Sequence, residues 1–151
     1  MDEKEKALIE LEIAIQKAYP NNKVWTFPSK IGVTGYRGTQ NIIFLGWNPS
    51  TGEFWSKGSG DEFLYTELIK NGFENAHITD FFKLRMTNIE FAAKLKDDPN
   101  FCVEQAQILC EEIDLINPVI IVPMGGTGQD IYERLYKRFI SRNCSNGYSA
   151  L

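Results

Sequence analysis

An α/β domain with a central parallel sheet and helices on both faces is the fold class the sequence predicts, and three observations predict it. Short, mostly apolar runs recur at residues 42–45, 78–81 and 119–122, such as Ile42-Ile43-Phe44-Leu45 and Val119-Ile120-Ile121-Val122; runs of this kind mark strands covered on both faces. Between them lie segments whose apolar residues recur at helical spacing, bounded by start and stop signals. Strands alternating with helices then stack into a three-layer α/β/α arrangement. At 151 residues the chain suits one domain, residues 1–151, long enough to bury a core.

Taken in order, residues 2–18 form an amphipathic helix, with Leu8, Leu11, Ile15 and Ala18 on one stripe and Pro20 closing it. Residues 24–36 mix aromatics with Gly and Pro and read as an irregular or edge segment. After the first strand comes a long loop rich in Gly and aromatics, residues 47–60, and long ordered loops at such places are usually functional. Residues 61–70 form a helix stopped by Asn71-Gly72. The second strand follows within residues 76–82, and Thr87-Asn88-Ile89-Glu90 is a capping box that starts a short helix. Asp98-Pro99 opens the next helix and Asn117-Pro118 ends it. Beyond the third strand, Thr127-Gly128-Gln129-Asp130 caps a last helix at residues 131–140. No internal repeat or linker interrupts this order.

Composition excludes several classes. Hydrophobic residues are 43% and charged residues 24% of the chain, which argues for a packed domain over a disordered one. No apolar run reaches the ~20 residues of a membrane helix, and the charged start, Met1-Asp2-Glu3-Lys4-Glu5-Lys6, lacks the apolar core of a signal peptide. Cys102, Cys110 and Cys144 are odd in number and lack close paired spacing, so neither a disulfide framework nor a zinc knuckle is expected, and the expected compartment is the cytoplasm. A net charge of −4 argues against coating nucleic acid through bulk charge, while leaving room for a local basic face.

In parallel α/β sheets ligands bind beyond the carboxyl ends of the strands, so the loops after Gly46, Thr79 and Met124 share one rim. Read in order, these strand ends resemble the uracil-DNA glycosylase superfamily. Gly46-Trp47-Asn48-Pro49-Ser50 is similar to that family's first motif, a Gly-x-(Asn/Asp/Ala)-Pro loop, with the Asn of the mismatch-specific branch. Gly52-Glu53-Phe54-Trp55 and Gly58-Ser59-Gly60-Asp61-Glu62-Phe63-Leu64 resemble its Gly-and-aromatic loop and following helix. His77-Ile78-Thr79-Asp80-Phe81-Phe82-Lys83-Leu84-Arg85 resembles its second strand, commonly Ile-Thr-Asn-x-x-Lys-Cys-Arg, and Asn117-Pro118-Val119-Ile120-Ile121-Val122-Pro123-Met124-Gly125 its third strand and glycine turn. The likeness runs from about Asn41 to Gly126.

The resemblance implies a uracil-DNA glycosylase-like fold and a DNA glycosylase-like function, binding a flipped base and hydrolysing the N-glycosidic bond in base-excision repair. Such chemistry needs a pocket with an aromatic face and polar groups for the base edge. Asn48, held by Pro49, is the expected catalytic residue, orienting the attacking water. Gly46, Trp47, Pro49 and Ser50 supply the turn around the base. Phe54 or Trp55 is the stacking ring, and either can instead plug the loop into the core. Asp80 faces the base edge or caps its loop. Lys83 and Arg85 reach a phosphate or stay solvated. An Asn-Pro after a strand is also a common turn former. His77, at the start of its strand, is expected to be structural, and Arg134, Lys137, Arg138 and Arg142 a solvated helix face.

Three departures qualify the likeness. The family's last motif, a His-Pro-Ser or Asn-Pro-Ser-type loop after a fourth strand, has no counterpart before Ser149-Ala150-Leu151, so the chain is expected to be either truncated or without the activity. Asp80 stands where the iron–sulfur branch has a base-reading Asn, and Leu84 where it has a cluster cysteine. A [4Fe–4S] cluster needs four thiolates and the chain has three cysteines, so no cluster, metal or other cofactor is expected. The expected partner is DNA carrying uracil or a damaged base, with no membrane; oligomeric state is open. The alternatives are a catalytically inactive nucleotide- or nucleic-acid-binding module on the same fold, and a small-molecule α/β enzyme unrelated to DNA. Without a fourth strand one sheet edge is left open, and its expected cover is the segment 24–36, the C-terminal tail or a second subunit.

Overall fold

Three parallel strands carry the fold in the computed structural model, which describes residues 1–21, 23–49, 54–55 and 59–125. Strand β1 (Ile42–Gly46) is central, flanked by β2 (His77–Asp80) on one side and β3 (Ile120–Pro123) on the other. The register pairs Gly46 with Asp80 and Leu45 with Pro123, so the carboxyl ends of all three strands finish level. The architecture is mixed α/β with a small open parallel sheet, and among the described residues four α-helices surround it.

Side chains alternate across β1 and feed two apolar clusters. Ile43 and Leu45 join Leu8, Phe81, Phe82, Leu109, Ile113 and Ile121 in the larger cluster, which holds residues of α1 (Glu3–Ala18), α3 (Asn88–Asp97) and α4 (Pro99–Ile116). Phe44 packs instead with Ile78, Tyr65 and Leu68, the last two from α2 (Gly60–Lys70). Helix starts follow the chemistry of the sequence. Asp2 caps α1 and Ser59 caps α2, each accepting from an amide two or three residues on. Thr87 and Glu90 close a reciprocal capping box at α3, and Asp98 with Pro99 starts α4. Asn117 ends α4 in the left-handed conformation that Asn tolerates.

The segment before β1 is irregular, as its composition implies, with one 3-10 turn (Gly35–Arg37). It lies along the outer side of β2 and its flanking turns: Thr34 N–H donates to the Glu74 carbonyl, Gln40 N–H to that of Asn75, and Trp25 N–H to that of Lys83. Gly38 is needed there, because a Cβ would collide with the Ala76 carbonyl. Among the described residues this segment therefore covers the β2 edge of the sheet and not the β3 edge. Among the described residues no strand pairs with the outer side of β3. No helix among them is long and apolar enough to cross a membrane. Cys102 is buried with its thiol against the Lys94 carbonyl, whereas Cys110 is disulfide-bonded, a bridge in a chain whose cysteine count and spacing suggest no disulfide framework. The capping box and helix expected at residues 127–140, with Arg142 and Cys144, lie outside the described residues.

Candidate functional site

Where β1 and β2 end, a cavity of about 180 Å³ opens, lined by Trp25, Phe27, Asn48, Pro49, Phe54, Asp61, Asp80 and Arg85. Five of the residues singled out in the sequence meet here: Asn48, Pro49, Phe54, Asp80 and Arg85. The loop after β1 runs beside the chain leaving β2, with Phe81 N–H on the Gly46 carbonyl and Phe82 N–H on that of Trp47. It is then pinned from both sides. Met86 N–H donates to the Pro49 carbonyl at 3.2 Å, and Asn48 Nδ2 donates to the Met86 carbonyl at 3.1 Å. Only the amide nitrogen can donate to a carbonyl, so Oδ1 is the acceptor Asn48 has left, and among the described residues it takes no hydrogen bond.

Gly46 leaves room for its neighbour across the sheet. A Cβ at this position would collide with Asp80 Oδ1, so the carboxylate sits over the bare glycine and reaches the cavity. Asp80 is 6% exposed, and its carboxyl oxygens accept no hydrogen bond among the described residues. Burial pushes this carboxyl up to about 7; the Lys83 charge opposes the rise, while Asp61 and Glu112 add to it. Asp61, in the first turn of α2, is thus a second carboxylate on the same cavity.

Aromatic rings form the remaining wall. Phe54 lies 5.4 Å from Trp25 and 5.6 Å from Tyr65, centroid to centroid, and Trp25 carries the Arg85 guanidinium over its face at 4.2 Å. Of the two candidate stacking rings, Phe54 lines the cavity. Trp55 does not: it adopts a positive φ of 67° and packs on Tyr65 beneath the Lys30 ammonium. Trp47 turns the other way, partly buried against the main core and close to Gly125 at the end of β3. Ser50 lies outside the described residues.

Lys83 is corrected outright as a phosphate contact. It is 1% exposed and its ammonium bonds Thr79 Oγ1 at 2.8 Å, the Asp80 carbonyl, and Glu112 Oε1 of α4 at 3.1 Å. Glu112 also accepts from the Tyr36 hydroxyl at 2.8 Å and faces His77 Nε2 at 3.6 Å. His77 Nδ1 meets the Tyr36 carbonyl, so this histidine is structural, as expected. Burial alone pushes Glu112 up, but Lys83, His77 and Tyr36 outweigh it and leave the carboxyl below its ordinary range. This buried group clamps the carboxyl end of β2 to α4. Among the described residues no three His, Cys, Asp or Glu side chains converge as a metal centre would need.

Trp25, Phe27 and Asp61 are site residues that sequence reasoning missed. Asp61 reads as an ordinary acid in a first helical turn, and the two aromatics sit in a segment without periodicity. The raised Asp80 carboxyl gives a stability signature. The folded chain keeps a proton that the unfolded chain releases above about pH 4, so the stabilisation is complete below that pH and is lost as pH rises through about 7. Asp80→Asn should therefore stabilise the protein at pH 8 by on the order of 2 kcal/mol and flatten the pH 4–7 dependence of its urea midpoint; an unchanged pH profile would show that Asp80 does not titrate in this range. Models of protein families and the curated proteins were both compared with the chain, and none matches it.

Proposed function

We propose that the chain is a DNA glycosylase-like protein on a uracil-DNA glycosylase-like fold, which takes a flipped base into the cavity beyond β1 and β2 and hydrolyses its N-glycosidic bond. The observation that carries this reading is the meeting of Asn48, Asp80, Phe54 and Arg85 around one small cavity at the carboxyl end of a parallel sheet. Each has work to do there. Phe54, Trp25 and Phe27 offer ring faces for an unstacked base. Asn48 Oδ1, an acceptor fixed by the Met86 and Pro49 bonds, can hold a proton of the attacking water. As the bond breaks, positive charge grows on the sugar, and the Asp61 carboxylate supplies a fixed opposite charge in a half-buried place. Arg85, supported on Trp25, supplies a cation for a neighbouring phosphate or for charge on the departing base.

The test is direct. Duplexes and single strands carrying uracil, hypoxanthine or a mismatched base are incubated with the chain, and abasic sites are revealed by alkali. Cleavage confined to the modified position is expected. Binding with no abasic sites on any strand would sink hydrolysis and leave the inactive binding module.

A further inference from the structure

Asp80 is a buried carboxylate with no hydrogen-bond partner among the described residues, and the cavity it lines has room for one. Its carboxyl oxygens open onto the cavity, where water or the donors of a ligand can satisfy them. Both oxygens of an ionised carboxylate accept and neither donates. Asp61 adds acceptors to the same cavity, and among the described residues Arg85 is the cationic side chain lining it. Trp25, Phe27 and Phe54 make the rest of the wall aromatic. At about 180 Å³ the cavity is below the roughly 300–1,000 Å³ of ordinary ligand pockets, a size for a single heterocycle.

From this juxtaposition we infer that the site selects a planar heterocycle with two adjacent N–H donors beside a carbonyl, the 2-amino-6-oxo edge of a guanine-type base, over uracil. The two N–H groups of that edge are parallel and match the two oxygens of Asp80, while its carbonyl suits an N–H donor such as Arg85. Uracil presents one N–H between two carbonyls, so a carboxylate that accepts from it is set against a carbonyl oxygen on either side. Hypoxanthine, with one N–H and one adjacent carbonyl, ranks between the two. The inference rests on the base-binding reading of the cavity but not on hydrolysis.

The experiment measures binding and excision separately. Fluorescence anisotropy is recorded at pH 8, above the range in which Asp80 loses its proton, with labelled oligothymidylate strands carrying one central guanine, hypoxanthine or uracil. The guanine strand should bind about tenfold or more tighter than the uracil strand, the usual worth of a good bidentate base contact, with hypoxanthine between. Asp80→Asn, expected to fold at least as well as the native chain, should bring the three strands to within about threefold of one another. Equal binding by the native chain, a native preference for uracil, or an undiminished guanine preference in Asp80→Asn would each overturn the inference. Abasic sites are scored on the same strands: a guanine preference without any abasic site rejects hydrolysis and keeps the inference, whereas uracil excision with no guanine preference does the reverse.

Discussion

Glu112→Ala should destabilise the protein by about 3–5 kcal/mol, the scale for breaking a buried ion pair from one side. Glu112 is fully buried, and among the described residues its carboxylate is the one anion in contact with the Lys83 ammonium. Without it Lys83 keeps two neutral acceptors, Thr79 Oγ1 and the Asp80 carbonyl, and a full charge stays in the core. The Tyr36 hydroxyl loses its acceptor at the same time. Urea unfolding at pH 7 should show a lower midpoint with an unchanged slope. Replacing both partners, Glu112→Leu with Lys83→Met, should recover most of the loss, because the penalty lies in the unpaired charge and not in the absence of the pair. The pH dependence runs opposite to that of Asp80. Since the Glu112 carboxyl lies below its ordinary range when folded, its contribution is present above about pH 4.5 and disappears as pH falls through the folded value. A loss under about 1 kcal/mol in Glu112→Ala would mean that Lys83 finds water or another anion, and the clamp between β2 and α4 would lose its energetic basis.

That clamp also shows where the sequence stops being legible. Strand β1 announces itself as an unbroken apolar run because both its faces are covered, whereas β3 carries the same kind of run with only Ile121 fully buried among the described residues. Helix boundaries are written locally, in Thr87 with Glu90 and in Asp98 with Pro99, and a local signal survives folding unchanged. The shared rim follows from parallel strands alone, which put Asn48 and Asp80 at the same end of the sheet. Lys83 is not legible as a buried residue because a lysine three residues past a strand is normally solvated; it is buried against Glu112, a residue of α4 that looks equally solvated in sequence. Each charge is explicable only by the other. Trp25 and Phe27 were invisible as site residues for a similar reason. They reach the cavity because the segment 24–36 bonds to the turns flanking β2, and an irregular segment carries no period that reveals which side chains face inward. The choice between Phe54 and Trp55 turned on one backbone angle, the positive φ at Trp55, which a non-glycine residue seldom advertises.

Asn48→Ala should cut base excision by at least ~100-fold in single-turnover assays, the usual scale for removing a group that orients a reacting water or its proton. The substitution is unusually clean in its structural consequences. The loop keeps Pro49, its bond from Met86 N–H, and the bonds that tie Gly46 and Trp47 to Phe81 and Phe82. What is lost is one hydrogen bond to the Met86 carbonyl, worth about 1 kcal/mol, and the Oδ1 acceptor of a residue that lines the cavity. The rings and carboxylates that would hold the base are untouched, so the affinity for a base-bearing strand should change by no more than about twofold. Chemistry and binding therefore separate: the rate falls while the binding constant stays. Asn48→Asp sharpens the comparison, since it keeps an acceptor oxygen but sets a carboxylate against the Met86 carbonyl, and it should recover part of the lost rate only where that repulsion is relieved by protonation at low pH. An excision rate unchanged in Asn48→Ala would remove Asn48 from the mechanism and shift the search for the water-activating group to Asp61, a further acceptor on the cavity wall.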